Sequence, residues 1–149
     1  MKICLAASSG GHLTQLVRVS DACEGKSYFF VVPYSSSMDH LHGKAKIYFV
    51  TKANRNHPVL LLSMLVQCFK IMYTERPDVV ISTGAAVGCI LCILAKLARK
   101  KIIWIDTISH VNRLTLSGRI IRPIADLFLV QWPDLTKRYK RTKYVGALA

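Results

Sequence analysis

Acidic residues are scarce in this chain of 149 residues. Eight aspartates and glutamates stand against 21 lysines and arginines, which gives a formal net charge of +13 at pH 7. Residues 1–75 hold 8 basic and 4 acidic side chains, whereas residues 76–149 hold 13 and 4. A compact protein with this charge repels itself, so we expect an anionic partner. Phospholipid headgroups, a pyrophosphate ligand, nucleic acid and an acidic protein all meet that requirement.

The sequence also lacks the marks of a disulfide framework and of a metal site. Its cysteines are odd in number and lie in apolar segments: Cys4, Cys23, Cys68, Cys89 and Cys92. This usage is typical of reduced, buried thiols in a cytosolic protein. Cys89-x-x-Cys92 has no second ligand pair, which predicts core packing, and His40-x-His42 is interpreted as part of a loop. We predict no metal and no cofactor.

No apolar run reaches the roughly 20 residues that a membrane-spanning helix needs. The segment "HPVLLLSMLVQCFK" holds 12 uncharged residues, from Pro58 to Phe69. It is either a core helix or a helix that lies in the membrane interface, and basic residues flank both of its ends. The candidate membrane-contact residues are Lys52, Arg55, Leu61, Leu62, Leu65 and Phe69.

Short apolar runs alternate with helical patterns along the whole chain. Several runs are continuously apolar, such as Phe29 to Val32, as expected for strands that helices cover on both faces. The predicted strands are Ile3–Ala7, Tyr28–Val32, Ile47–Val50, Val79–Ser82, Ile102–Asp106, Leu127–Gln131 and Lys143–Val145. Helices are predicted at about 13–23, 58–74, 86–99, 115–122 and 134–140. This alternation predicts a single Rossmann-like domain over residues 1–149: an α/β, doubly wound, mostly parallel sheet of about seven strands.

The loop "SSGGH" follows the first predicted strand. Ligands of doubly wound sheets bind at the carboxyl ends of the strands, where helix N-termini attract anions. Ser9, Gly10 and Gly11 would let a ligand approach the backbone, and His12 could take a proton from an acceptor hydroxyl. An ordinary Gly-rich turn with a locally bonded histidine is the alternative. The loop lacks both G-x-G-x-x-G and Gly-Lys-Ser/Thr, so it is neither a dinucleotide fingerprint nor a Walker loop.

A second loop of the same kind is "STGAAVG". Ser82, Thr83 and Gly84 follow a buried strand and precede a helix, so two helix N-termini could converge on one diphosphate. Alternatively, Gly84 and Gly88 only permit close packing of helix on sheet. Asp106 ends a third strand, where it could bind a hydroxyl, orient His12 or cap the next segment.

Four stretches carry a resemblance that covers nearly the whole chain: "SSGGHLTQL", "RPDVVISTGAAVG", "IIWIDTISHVNRLTLSGRIIRPIADLFLVQWPDLTKRY" and "YVGAL". They resemble PssD/EpsE-type subunits of bacterial polysaccharide-biosynthesis glycosyltransferases. These are similar to the Alg (asparagine-linked glycosylation) membrane-anchor subunit and to the N-terminal half of MurG-type GT-B enzymes.

The resemblance implies half of a GT-B fold and an acceptor-binding, membrane-associated subunit of a two-chain UDP-sugar-dependent glycosyltransferase. The acceptor would be a polyprenyl-diphosphate-linked sugar, and a PssE-like donor-binding subunit would supply the activated sugar. His12 and Asp106 would be the catalytic candidates. Ser9, Gly10, Gly11, Ser82, Thr83 and Gly84 would bind the acceptor diphosphate. The chain would sit peripherally on the anionic cytoplasmic face of the cell membrane.

Two rival interpretations remain open. The chain could be a non-catalytic anchor that recruits a catalytic partner subunit. It could also be a basic nucleic-acid-binding module, because "KRYKRTK" at 137–143 holds five basic residues in seven. It lacks aromatic-rich readout motifs, so we expect no nucleic acid.

Overall fold

Seven parallel strands form one sheet in the order β3-β2-β1-β4-β5-β6-β7. The structure, a computed structural model, describes residues 1–35, 41, 43 and 45–148. The strands are β1 (Lys2–Ala6), β2 (Ser27–Pro33), β3 (Lys46–Val50), β4 (Val79–Ser82), β5 (Lys101–Ile105), β6 (Leu127–Val130) and β7 (Lys143–Tyr144). The helices are α1 (Gly11–Asp21), α2 (Pro58–Glu75), α3 (Ala85–Leu97), α4 (Leu116–Ile121) and α5 (Pro133–Arg138).

The sheet buries apolar side chains on both faces, which is why its strands read as continuous apolar runs. On one face, Leu13 and Leu16 of α1 pack with Leu5 and Phe30. On the other face, α2, α3, α4 and α5 cover a larger cluster that includes Trp104, and the Trp104 ring stacks on Phe128 with 6.5 Å between centroids. The predicted doubly wound parallel sheet is confirmed, and each predicted strand and helix is present within about two residues of its expected ends. His40 and His42 lie outside the described residues.

The five cysteines are free thiols, and only Cys89 is more than slightly exposed. Burial raises the pKa of Cys68 to about 12 and raises the pKa values of Cys4 and Cys92 as well. A thiol with a raised pKa is a poor nucleophile and a poor metal ligand. The prediction of buried, reduced thiols is therefore confirmed for the cluster beneath α2 and α3.

The last turn of α2 is tied to two strands by one carboxylate. Glu75 accepts hydrogen bonds from Lys2 Nζ at 2.8 Å, from Lys46 Nζ at 2.9 Å and from the Tyr48 hydroxyl. Its side chain is 10% exposed. These donors hold the pKa of Glu75 at about 2, well below its ordinary 4.5. Glu75 thus fixes the end of α2 to the edge of the sheet where β1 and β3 begin.

Candidate functional site

The strand order reverses between β1 and β4, the two central neighbours in the sheet. From β1 the chain continues to one side through β2 and β3, and from β4 it continues to the other side. Such a switch point leaves a crevice at the carboxyl ends of the strands, where doubly wound proteins bind their ligands. Both Gly-containing loops singled out from the sequence lie at this crevice, since Ala6 pairs with Ser82 at the ends of β1 and β4.

Two hydrogen bonds join these loops. His12 Nδ1 lies 2.7 Å from the carbonyl oxygen of Thr83, and the Thr83 hydroxyl donates to the carbonyl oxygen of His12 at 2.6 Å. A carbonyl oxygen can only accept, so Nδ1 carries the hydrogen in the neutral imidazole. Nε2 is then the unprotonated nitrogen. The half-buried ring is therefore held in one tautomer, with its lone pair on Nε2.

Gly84 provides the space in which the His12 ring lies. A Cβ atom at position 84 would stand 2.7 Å from Cε1 and 2.8 Å from Nδ1 of His12. Gly84 also has φ +132°, and Ala85 after it has φ +69°, a conformation that favours glycine. This loop is therefore shaped around the imidazole, and the backbone strain at Ala85 is of a kind that clusters at functional sites.

The N-termini of α1 and α3 both lack a capping side chain, and neither has an acidic residue in its first turn. Uncapped N–H groups and the helix dipole make such ends favourable for an anion. Gly10 and Gly11 are exposed, and nothing lies within 4 Å of a Cβ built at either. Ser9 is half-buried beside them. The first loop is thus open to a ligand at its backbone.

Ser82 and Thr83, by contrast, are fully buried, and their hydroxyls already have protein partners. Ser82 Oγ accepts the Gly84 N–H at 3.1 Å, while the Thr83 hydroxyl is used in the bond to His12. A Cβ at Gly88 would lie 1.8 Å from Ser82 Oγ, so α3 can pack this closely on β4 only with glycine at position 88. The hydroxyls build the loop, and direct diphosphate contact by these side chains stays a prediction.

Asp106 is buried, and its carboxylate is occupied by contacts within the fold. It accepts hydrogen bonds from Trp104 Nε1 at 3.1 Å, from Thr115 N at 3.0 Å and from Thr115 Oγ1 at 2.6 Å. Thr115 Oγ1 in turn accepts the Gly118 N–H and caps α4. Of the alternatives weighed for Asp106, these contacts match the capping of the next segment. Its catalytic role stays a prediction.

The sequence analysis missed a buried amide pair behind the site. Gln131 Nε2 donates to Gln15 Oε1 at 3.1 Å and to the carbonyl oxygen of Asp106 at 2.9 Å. Gln15 lies three residues after His12 in α1, so the pair ties that helix to the ends of β5 and β6. The Leu148 N–H donates to Gln131 Oε1 at 2.8 Å, which adds the C-terminal segment to the network. The one feature of the sequence that could have revealed this pair is the polar Gln15 between the apolar residues of α1.

A further loop, residues 107–114, follows β5 at the same edge and was not singled out from the sequence. β5 is the neighbour of β4, so this loop leaves the sheet beside Thr83 and Gly84. Its His110 and Arg113 are exposed. The Trp132 indole anchors the loop by donating to the carbonyl oxygen of Ile108 at 2.7 Å. The sequence could have indicated this loop, because the apolar run of β5 ends directly before the polar stretch.

The outer face of α2 exposes apolar side chains along the entire helix. Met64, Cys68 and Ile71 are buried against the sheet, but only 22% of the helix's 18-residue window is buried. The α2 helix has 18 residues, more than the uncharged run of 12 counted in the sequence, and by length and composition alone it could cross a membrane. Of the predicted membrane-contact residues, Leu61 is half-buried and five are exposed: Lys52, Arg55, Leu62, Leu65 and Phe69. The alternative of a fully internal core helix is therefore wrong, because most of α2 faces outward.

Comparison with solved structures supports the fold. MurG of Acinetobacter baumannii superposes with a TM-score of 0.79 at 14% identity, and UDP-N-acetylglucosamine 2-epimerase of Rickettsia bellii with 0.75 at 17%. Each alignment covers 99% of this chain and 45% of the other. The chain thus spans a little less than half of these two proteins, and the prediction of a GT-B half-domain is confirmed at the level of fold.

Comparison with known sequences gives the family. The chain is 31% identical to the UDP-N-acetylglucosamine transferase subunit ALG14 of Yarrowia lipolytica, over 99% of this chain and 81% of that protein. It is 24% identical to the Homo sapiens protein of the same name, over 99% and 83%. The more specific assignment to the bacterial PssD/EpsE type stays a prediction. Residues 3–148 match the family described as "Oligosaccharide biosynthesis protein Alg14 like", and the chain belongs to that family.

Proposed function

We propose that this chain is the acceptor-binding, membrane-associated subunit of a two-chain UDP-sugar-dependent glycosyltransferase. One observation carries the proposal: His12 and Thr83 join the loops that precede two helix N-termini without side-chain caps, at the switch point of the sheet. That arrangement offers an anion site and a base in one crevice. The relatives are named UDP-N-acetylglucosamine transferase subunits, which makes UDP-N-acetylglucosamine the first donor to test.

A second chain would supply the donor site. The relatives carry the word subunit in their names, and this chain spans 45% of MurG. A PssE-like chain of similar fold would provide the remaining half and bind the nucleotide sugar. The acceptor would be a polyprenyl-diphosphate-linked sugar whose diphosphate lies on the backbone N–H groups in the first turns of α1 and α3, beside Gly10, Gly11 and Gly84. The Gly84 N–H itself bonds Ser82 Oγ. Arg113, exposed on the adjoining loop, adds positive charge at the same edge.

His12 would act as the general base. In the transfer step an acceptor hydroxyl attacks the anomeric carbon of the donor sugar, the bond from that carbon to the UDP oxygen breaks, and UDP leaves. The hydroxyl proton passes to Nε2 of His12, the nitrogen that the bond between Nδ1 and Thr83 leaves unprotonated. The Thr83 carbonyl oxygen then stabilises the imidazolium that forms.

The face of α2 would place the acceptor site at the membrane. Leu62, Leu65 and Phe69 expose apolar surface, while Lys52 and Arg55 lie before the helix, at the edge of the sheet that carries His12. Apolar residues with basic flanks suit a helix that lies in the interface of an anionic bilayer. The proposed location is peripheral, on the cytoplasmic face of the cell membrane.

The same exposed face also favours a second candidate, a non-catalytic anchor that recruits a catalytic partner. The two candidates differ in what His12 does. Substitution of His12 by Ala should reduce transfer by about 10²–10⁴-fold if the imidazole is the base. An anchor would support undiminished turnover with the same substitution.

The test is a transfer assay with a polyprenyl-diphosphate sugar acceptor and UDP-N-acetylglucosamine. The chain is assayed alone, with its co-expressed partner, and with the partner after the His12→Ala substitution. We expect transfer only with the partner, and loss of transfer in the variant. Full activity of the chain alone would contradict the two-chain proposal. Co-purification must show that the His12→Ala variant still binds the partner, so that a loss of transfer is not a loss of assembly.

A further inference from the structure

An apolar groove lies between the ends of α2 and α3, on the opposite edge of the sheet from His12. Its volume is about 380 Å³, and Phe69, Met72, Tyr73, Leu94 and Leu97 line it. The two helices precede β4 and β5, so both end at the edge where the strands begin. The α2 helix has 18 residues and rises by about 27 Å, which separates the groove from the crevice.

The groove continues the exposed apolar face of α2. Outward-facing residues recur at three- and four-residue intervals along that helix: Val59, Leu62, Val66, Phe69 and Tyr73. Leu97 of α3, 77% exposed, extends this surface across the groove. The groove therefore opens onto the same surface that we propose to lie against the bilayer.

Two basic residues, Arg76 after α2 and Lys100 after α3, line the groove, and Lys96 and Arg99 lie close to Lys100 in the sequence. Arg76 stacks over the Tyr73 ring, with its Cζ 5.5 Å from the centroid. Lys100 Nζ forms a long ion pair of 3.9 Å with Asp78, and Glu75 is neutralised by Lys2 and Lys46. These full positive charges exceed the partial negative charge of two helix C-termini, about half a unit each.

We infer that this groove binds one acyl chain of an anionic phospholipid, with the lipid phosphate held by Arg76 and Lys100. The volume falls in the range of about 300–1,000 Å³ that small-molecule sites occupy, and the lining is suited to a hydrocarbon chain. The charge at the mouth selects an anionic headgroup. The inference rests on the proposed membrane association, and it adds a saturable lipid site to a surface that could otherwise bind a bilayer without specificity.

The experiment uses single-chain lipids below their critical micelle concentration, so that no bilayer is present. The chain is titrated with 14-carbon lysophosphatidylglycerol and with the matching lysophosphatidylcholine, and stoichiometry is read by native mass spectrometry. We expect one bound molecule and at least fivefold tighter binding of the glycerol lipid. The Arg76→Gln and Lys100→Gln substitutions should each weaken that binding by about fivefold.

A matched pair of leucines separates the groove from the rest of the apolar face. Leu97 borders the groove and Leu62 does not, and both are exposed, so glutamate at either position leaves the fold intact. We expect Leu97→Glu to weaken lysophosphatidylglycerol binding by at least tenfold and Leu62→Glu to leave it unchanged. Equal affinity for the two headgroups, binding without saturation, or full binding by Leu97→Glu would each overturn the inference.

Two further measurements keep this inference apart from the proposed function. Sedimentation with phosphatidylglycerol vesicles tests the membrane association, which Leu62→Glu should reduce, and failure there counts against the proposed function and not against the groove. A short polyprenyl phosphate serves as competitor for the groove. If the polyprenyl phosphate displaces lysophosphatidylglycerol when present at a lower concentration than that lipid, the assignment to a bilayer phospholipid is overturned.

Discussion

His12 Nδ1 lies 2.7 Å from the carbonyl oxygen of Thr83, and the Thr83 hydroxyl returns a hydrogen bond of 2.6 Å to the carbonyl oxygen of His12. The residues are 71 positions apart in the chain. The first bond sets the tautomer of the ring, whereas the second fixes the backbone that carries it. Thr83 is therefore a positioning residue for the proposed base.

The first prediction separates these two bonds. Thr83→Val keeps the shape and the carbonyl group but removes the hydroxyl, so the His12 backbone loses one tether. A neutral hydrogen bond is worth about 0.5–1.5 kcal/mol, and we expect kcat of the two-chain enzyme to fall up to about tenfold. The measurement is a double-mutant cycle with His12→Ala.

The cycle distinguishes positioning from a purely structural role. If Thr83 acts through the imidazole, the double variant should be no slower than His12→Ala alone, because the imidazole is already gone. If the double variant instead loses kcat by the product of the two single losses, Thr83 acts independently of His12.

The second prediction concerns Gly84, which leaves room for the ring. In Gly84→Ala the new Cβ would lie 2.7 Å from His12 Cε1, so the ring must move. The alanine would also have to adopt a φ of +132°, which strains the backbone. We expect a loss of about 1–3 kcal/mol in the free energy of unfolding, together with loss of transfer. Gly11→Ala is the matched control for stability, since nothing lies within 4 Å of its Cβ.

Urea unfolding of the two glycine variants is the measurement. Gly11→Ala should match or slightly exceed the unsubstituted chain in stability, because Gly11 is a helical residue. Equal unfolding midpoints for Gly84→Ala and Gly11→Ala would contradict the packing of His12 on Gly84. Reduced acceptor binding by a stable Gly11→Ala would support a ligand that approaches the first loop closely.

The third prediction tests whether Asp106 caps or catalyses. Asp106→Asn keeps the shape of the side chain but replaces one acceptor oxygen with an NH₂ group. That group would face a hydrogen-bond donor of Thr115 or Trp104. We expect a loss of about 1–3 kcal/mol in stability and a change in kcat per folded molecule of less than about threefold. A kcat reduced by about a hundredfold at unchanged partner binding would instead establish the catalytic role.

The fold could be predicted from the sequence because its signals are local. Continuous apolar runs such as Phe29 to Val32 mark strands that are buried on both faces, and Pro58 marks the first turn of α2. Parallel strands end at one edge, so the pairing of the "SSGGH" and "STGAAVG" loops also followed from the alternation of elements.

The partner of each polar side chain could not be predicted, because it depends on distances between elements that are remote in sequence. The hydroxyls of Ser82 and Thr83 bond Gly84 and His12, partners that the sequence did not indicate, and diphosphate contact at this loop stays a prediction. Gln15 and Gln131, separated by 116 positions, meet only once α1 is folded over β5 and β6. Side-chain type therefore identified the loops but not the hydrogen bonds within them.

The fourth prediction is a pH dependence that originates at Glu75. Its pKa is about 2 in the folded chain and near the ordinary 4.5 once the chain unfolds and Lys2, Lys46 and Tyr48 separate from it. The unfolded state therefore binds a proton first as pH falls. The stabilisation is complete above about pH 5 and is lost between about pH 5 and pH 2.

Glu75→Gln removes the charge, and we expect a loss of about 1–2 kcal/mol at pH 7 after allowance for solvent screening, shrinking steadily toward pH 3. The control is Asp134→Asn, which breaks an ion pair with Lys137 whose side chains are 84% and 81% exposed. That change should alter stability by less than about 0.5 kcal/mol at any pH, because exposed pairs are weak. Urea unfolding at pH 7, 5, 4 and 3 measures both variants. A stability curve for Glu75→Gln that runs parallel to that of the unsubstituted chain would contradict the low pKa, since only a carboxyl that ionises differently in the two states produces the convergence.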